Sequence, residues 1–281
     1  MQLTDAGAVK ELLGRHGFTF SKAMGQNFLI NPSVCPRMAD GCGADSSTGV
    51  LEIGPGIGVL TKELAKRAKK VVAVELDRRL FPVLEETLAE YDNITLIQGD
   101  AMKLDLQAIL QQEFGDMPVV VCANLPYYIT SPLIMRLLEE QLALRSITVM
   151  VQKEAADRLC APVGSRQSGA VTVAVHFYAE PKRLFTVSPG SFLPPPRVDS
   201  AVIRMDLLKQ PPVTADREAL FRVVRGGFSQ RRKTLCNALA AALGLPKQEV
   251  TAAMDACGIA SSARAEQLSL QDFARLANAL I

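Results

Sequence analysis

Residues 49–76 read GVLEIGPGIGVLTKELAKRAKKVVAVEL, and the fold is decided in this stretch. GVLEI (49–53) and VVAVEL (71–76) are nearly unbroken apolar runs without the polar alternation of a half-exposed strand. Between them VLTKELAKRA (59–68) carries apolar residues at helical spacing. Strand, helix and strand in that order, with strands apolar on both faces, predict a parallel sheet covered by helices on each side.

The same rhythm continues outward. ITLIQ (94–98), VVVCA (119–123) and ITVMVQ (147–152) read as further strands, and RLFPVLEETLAEY (79–91) and PLIMRLLEEQL (132–142) as helices, after a short helix over 5–14. AVTVAVHFYAE (170–180) and DSAVIRMDL (199–207) read as two more strands. They flank TVSPGSFLPPPRV, which Pro189, Pro194, Pro195 and Pro196 keep semi-rigid and non-helical. Beyond KQPPV (209–213) the pattern is purely helical: REALFRVVRGGF, KTLCNALAAALG, PKQEVTAAMDACG and SLQDFARLANAL. Ser269 and Asp272 have capping-box spacing at the start of the last one. The expectation is a doubly wound, Rossmann-like α/β domain over 1–208 followed by a small all-helical domain over 209–281.

Composition narrows the chemistry. With 281 residues and 48% hydrophobic content a full core is expected. Six cysteines without a C-x-x-C pair and only two histidines support neither a metal site nor a disulfide framework. No apolar run approaches the roughly 18 residues of a spanning helix, and no long apolar leader opens the chain, so a cytoplasmic protein without a membrane partner is expected. No sustained heptad argues against a monomer. Net charge is only +2, but residues 182–281 hold 14 Lys and Arg against 8 Asp and Glu, while residues 1–181 hold 17 against 21. A basic C-terminal part suits an anion such as a nucleic-acid backbone, although a solvated helical surface gives the same count.

Gly54, Gly56 and Gly58 sit between the first strand and its helix, where the chain must turn tightly and approach a ligand without an intervening side chain. Glu75 ends the next strand, 21 residues after Gly54, where an acidic residue in such folds takes ribose hydroxyls. Asp100 ends the third strand and Asn124 the fourth. Ligands of open α/β sheets lie beyond the carboxyl ends of the strands, so all four positions face one crevice. Nicotinamide dinucleotide and S-adenosylmethionine both place an adenosine there. The G-x-G-x-G spacing and the position of His16 and His176 outside every motif tip the choice toward S-adenosylmethionine.

Asn-Leu-Pro-Tyr (124–127) is similar to the (Asp/Asn/Ser)-Pro-Pro-aromatic motif of enzymes that methylate exocyclic amino groups. An adenine N6 is a poor nucleophile because its lone pair is delocalised. Two acceptors, the Asn side-chain oxygen and a backbone carbonyl beside the proline, can hold both N6 hydrogens and aim the lone pair. Proline restricts its neighbour, and the aromatic offers a face to an unstacked base. With GQNFL (25–29), LEIGPGIGVLT, VVAVELD, GDAM, NLPYYITSP, MVQKEAADRL, FLPPPRVDSAVIRM and FSQRRKTLCNAL in order, the chain from about residue 15 onward resembles the small-subunit (16S) ribosomal RNA adenine N6,N6-dimethyltransferases, the kasugamycin-sensitivity family.

That resemblance implies a class I methyltransferase sheet and dimethylation of N6 on two adjacent adenosines in the 3′-terminal hairpin loop of small-subunit rRNA, within a late 30S assembly intermediate. It assigns Asn27, Leu29, Gly54 and Gly56 to the cofactor, Glu75 to its ribose, and Asp100 with Ala101 to its adenine. Asn124, Leu125, Pro126 and Tyr127 become the reacting loop, with Asn124 also touching the cofactor. Tyr128 and Phe192 are expected near the RNA, as are Arg231, Arg232 and Lys233, read as the start of a helix and suited to phosphates. Rival readings are the sister group that methylates large-subunit rRNA and confers macrolide resistance, an assembly factor first and enzyme second, and a nicotinamide oxidoreductase.

Overall fold

A computed structural model describes residues 2–20 and 26–281; Gly25 of the GQNFL motif lies outside them. The chain divides into two compact units, one formed by residues 1–156 with Lys182–Leu207, the other by Asp157–Pro181 with Leu208–Ile281. Within the first unit, helix α1 (Ala6–Arg15) is started by the Asp5 carboxylate accepting from Ala8 N–H, and it buries Val9, Leu12 and Leu13. Short strand β1 (Phe28–Leu29) and helix α2 (Val34–Cys42) precede the glycine-rich stretch 49–76. There β2 (Gly49–Ile53), α3 (Val59–Ala65) and β3 (Lys70–Glu75) follow in the expected order. The chain continues with α4 (Phe81–Leu88), β4 (Ile94–Gln98), α5 (Leu106–Phe114), β5 (Val119–Asn124), α6 (Thr130–Glu139), β6 (Leu144–Gln152) and α7 (Lys153–Leu159). Helix α8 (Ala170–Tyr178), β7 (Ala179–Val187), β8 (Phe192–Leu193) and β9 (Ser200–Leu207) come next.

Seven strands form one sheet in the order β4-β3-β2-β5-β6-β9-β7. The neighbours from β4 to β6 are parallel, and β9 joins β6 antiparallel. The chain winds outward from β2 to β4, then returns to place β5 on the other side of β2. The order therefore reverses between β2 and β5, and a crevice opens beyond their carboxyl ends. All five residues of β2 are buried, as are the first five of β5, which is what a sheet covered on both faces requires.

Two segments correct the sequence reading. Residues 170–178, expected as strand, are helix α8, in which Val173, Ala174, Val175 and Phe177 are all buried. A helix enclosed on every side has no polar stripe, so its apolar run looks like that of a buried strand. The strand that does form, β7, begins only at Ala179 and extends into the segment read as loop. Its mixed burial, with Pro181, Lys182 and Arg183, is that of a sheet edge. Helices α2, α5 and α7 were not expected; Pro36 lies in the first turn of α2, where its missing N–H costs nothing.

The second unit is helical: α8, α9 (Arg217–Phe228), α10 (Leu235–Leu243), α11 (Lys247–Ala256) and α12 (Leu270–Leu280). The segment 157–181, placed by the sequence reading in the first domain, packs here. Phe177, Tyr178 and Phe221 form an aromatic cluster with ring centroids 4.9 to 5.7 Å apart. At Gly226 an added Cβ would lie 3.2 Å from both Ala242 and Leu239, so the missing side chain lets α10 approach α9. Ser269 and Asp272 cap α12 reciprocally. Arg231, Arg232 and Lys233 do not start a helix. They occupy the exposed turn between α9 and α10, whose cap is Thr234. Among the described residues no helix is long and apolar enough to cross a membrane.

Candidate active site

Beyond the end of β2 the backbone turns through Gly54 and Gly56 with φ of 74° and 61°, a region open to glycine without strain. Gly54 N–H donates to the Val74 carbonyl at 2.9 Å, which pins the turn to β3. A Cβ built on Gly54 would meet nothing nearer than the Asn124 carbonyl at 4.0 Å, whereas one on Gly56 would press the Phe28 ring at 3.2 Å. The bare backbone of Gly54 thus faces open space across from Asn124. Gln26, Asn27, Leu29, Gly54, Gly56, Glu75, Asp100, Ala101, Asn124, Leu125, Pro126, Tyr127, Tyr128 and Phe192 all line one cleft, open to solvent.

Each strand end contributes one polar group. Glu75 is only 7% exposed, and its two oxygens accept from Gly56 N–H (3.2 Å) and Asp77 N–H (2.8 Å). Burial pushes its carboxyl up from the ordinary value, against the pull of those amides. Asp77 is held low by the Arg79 guanidinium, with Gln26 Nε2 donating to it at 2.8 Å. Asp100 organises its own turn: Oδ1 accepts from Met102 N–H at 2.9 Å, and its carbonyl from Lys103 and Leu104 N–H. Leu76, exposed beside Glu75, adds an apolar wall.

The loop after β5 is braced from two sides. The Pro126 carbonyl closes the turn, accepting from Ile129 N–H (3.2 Å) and the Thr130 hydroxyl (3.3 Å). Tyr127 shares a hydrogen bond of 2.8 Å with the Ser200 hydroxyl at the start of β9, which fixes its ring; burial raises its phenol pKa. Tyr128 is 56% exposed. Phe192 is 3% exposed and packs with Leu29, Val34 and Val187, so it is a wall of the cleft and a core residue at once. Leu29 lies opposite it in the antiparallel β1–β8 ribbon, and Ile30 N–H donates to the Ser191 carbonyl at 2.9 Å. This ribbon seats Asn27 against the same cleft.

One charged lining residue escaped the sequence reading. Glu52, inside β2, is 1% exposed, and burial, reinforced by the Glu75 charge, pushes its carboxyl up to about 8 despite the nearby Thr61 hydroxyl. Its Oε2 has no protein partner. The signal was present as E-x-G-x-G, two residues ahead of the glycine turn. An orphaned acid, a bare glycine backbone and a carboxylate at the β3 end together fit a ligand with a ribose and a positively charged tail. Arg231, Arg232 and Lys233 belong to the second unit; all three are exposed, and among the described residues none of them forms an ion pair.

Neither histidine lines the cleft: His16 pairs with Glu86 and His176 with the Ala161 carbonyl. What lines it are acceptors and aromatic faces, the means of orienting an amine beside a nucleoside cofactor, and they define a methyltransferase of the doubly wound class. The chain belongs to the ribosomal RNA adenine dimethylase family, whose match spans residues 17–281. A Geobacillus thermodenitrificans protein, ribosomal RNA small subunit methyltransferase A, is 49% identical over 98% of this chain and 96% of its own. Among solved structures, a dimethyladenosine transferase from Plasmodium falciparum is similar with a TM-score of 0.74 and 27% identity, over 89% of this chain and 95% of that one. The 23S rRNA methyltransferase ErmE follows at 0.69 and 27%, over 90% and 99%.

Proposed function

We propose that the chain dimethylates N6 of two adjacent adenosines in the 3′-terminal hairpin loop of small-subunit rRNA, using S-adenosylmethionine, as a cytoplasmic monomer acting on a late 30S assembly intermediate. The observation that carries this reading is the convergence of Gly54, Glu75, Asp100 and Asn-Leu-Pro-Tyr (124–127) on one cleft. Near-full-length similarity to a small subunit methyltransferase favours the small-subunit substrate over the large.

The residues divide the work. Each Glu75 oxygen accepts one backbone N–H, which leaves further lone pairs for ribose hydroxyls. Asp100 takes the adenine amino group, with Ala101 and Leu76 against the ring, and Asn27, Leu29, Gly54 and Glu52 face the methionine end. Bound there, S-adenosylmethionine supplies a methyl group on a cationic sulfur, open to in-line attack by an amine. Since the Pro126 carbonyl is committed to its turn, the Leu125 carbonyl is the backbone acceptor beside the proline, and with Asn124 Oδ1 it holds the two N6 hydrogens. Tyr127, fixed by Ser200, offers its ring to the extruded base, and Tyr128 and Phe192 flank it. Acceleration comes from alignment, with no general base needed in the attack. Arg231, Arg232 and Lys233 contact phosphates.

Primer extension across both rRNAs of a strain lacking the protein tests the substrate. Loss of the blocks at the paired terminal-hairpin adenosines is expected. Blocks retained there, with a change in the large-subunit RNA, would move the assignment to the macrolide-resistance type.

A further inference from the structure

The turn that carries Asp100 and Ala101 is closed on its inner side by its own bonds: Gly99 N–H to the Glu75 carbonyl, and Met102, Lys103 and Leu104 N–H to Asp100. Two of its carbonyls, those of Ala101 and Leu104, are both taken by one side chain from another element. Arg136, on α6, donates through Nη1 to Ala101 O and through Nη2 to Leu104 O at 2.7 Å. Its Nε is fixed by Glu140, the residue that caps the C-terminus of α6. Arg136 is 16% exposed, so the guanidinium is largely shielded from water, where charged hydrogen bonds keep more of their strength.

The placement gives this clamp a role. The turn follows β4, while α6 follows the reacting loop after β5, and β3 and β2 lie between those two strands in the sheet. No backbone ladder therefore joins the two loops. We propose that Arg136 is a positioning residue that locks the adenine-side turn onto the helix behind the reacting loop, so that Asp100 meets the cofactor's adenine already oriented. This rests on the reading of the cleft as the S-adenosylmethionine site. Arg136 touches no reacting atom; it acts through Ala101 and Leu104. Its planar fork reaches both carbonyls at once, which a lysine cannot do.

The test is calorimetry and steady-state kinetics on the full chain, with S-adenosylmethionine, S-adenosylhomocysteine and adenosine as probes. Arg136→Met is expected to weaken all three by about tenfold, the scale of losing charged hydrogen bonds that hold a binding loop. At saturating cofactor kcat should stay within about twofold, so the loss appears in KM. Arg136→Lys, which keeps the charge but not the planar fork, should lose about threefold. Because Arg136 acts through the Asp100 turn, its effect should largely vanish in an Asp100→Ala background. Unchanged cofactor affinity in both Arg136 variants overturns the proposal, and so does full additivity with Asp100→Ala. Failure of the wild-type protein to bind S-adenosylmethionine would instead overturn the reading of the cleft.

Discussion

In the first unit the ionisable groups that matter are carboxyls drawn into the sheet: Glu52 and Glu75 are buried, and burial raises both of their pKa values. In the second unit they are Arg231, Arg232 and Lys233 on an open turn, free of ion pairs among the described residues. The first arrangement suits a small ligand that must be held in one geometry, because a desolvated acceptor is strong only when its partner is well placed. The second suits a long polyanion, whose phosphates are gripped by count rather than by angle. Chemistry and grip are thus separable, and substitutions should show it.

The sharpest separation is expected from Asn124→Ala, which removes one of the two acceptors aiming N6. Methyl transfer measured at saturating cofactor and RNA should fall by about 10²- to 10³-fold, the usual loss for a preorganised group at a reacting centre, while RNA affinity in a filter-binding assay stays at the wild-type value. Glu75→Ala should raise the cofactor dissociation constant by roughly 10- to 100-fold, from the loss of charged hydrogen bonds, again without changing RNA binding. A normal constant in calorimetry would remove Glu75 from the ribose site. Replacing Arg231, Arg232 and Lys233 together by Ala should do the reverse: RNA affinity falls, the slope of log K against log salt drops by up to about 0.9 per lost contact, and cofactor affinity is untouched. An unchanged slope would return the turn to a solvated surface.

The smallest effect concerns Glu52. Its carboxyl is raised in the folded chain to about 8 from an ordinary 4.5. The folded state therefore holds a proton that the unfolded state sheds, and this stabilising contribution, full below 4.5, is lost as pH rises toward 8. Glu52→Gln should flatten that decline, so that the melting temperature of the free protein changes less between pH 6 and pH 8.5 by a few degrees. Parallel curves for the two proteins would mean that Glu52 ionises freely.

That Glu75, Asp100 and Asn124 line the cleft was legible because Glu75 and Asn124 each end an apolar strand and Asp100 lies two residues beyond another, where a polar residue has no packing purpose. Glu52 was not, since it sits inside GVLEI and passed as scaffold. Arg136 was hidden for another reason: on an amphipathic helix a lone arginine reads as solvated surface, and only the fold brings Ala101 and Leu104 beneath it. Helix α8 was mistaken because burial on all sides erases the periodicity that distinguishes helix from strand. The attachment of 157–181 to the helical unit is likewise a matter of tertiary packing, and no local pattern announces it.

The most direct test of the account is methyl transfer from labelled S-adenosylmethionine to unmethylated small ribosomal subunits, with the modified bases then mapped. The expected result is dimethyladenosine at the two adjacent positions of the 3′-terminal hairpin loop, absent when Asn124→Ala replaces the wild-type protein. Label elsewhere in the RNA, or transfer by Asn124→Ala at the wild-type rate, would contradict it.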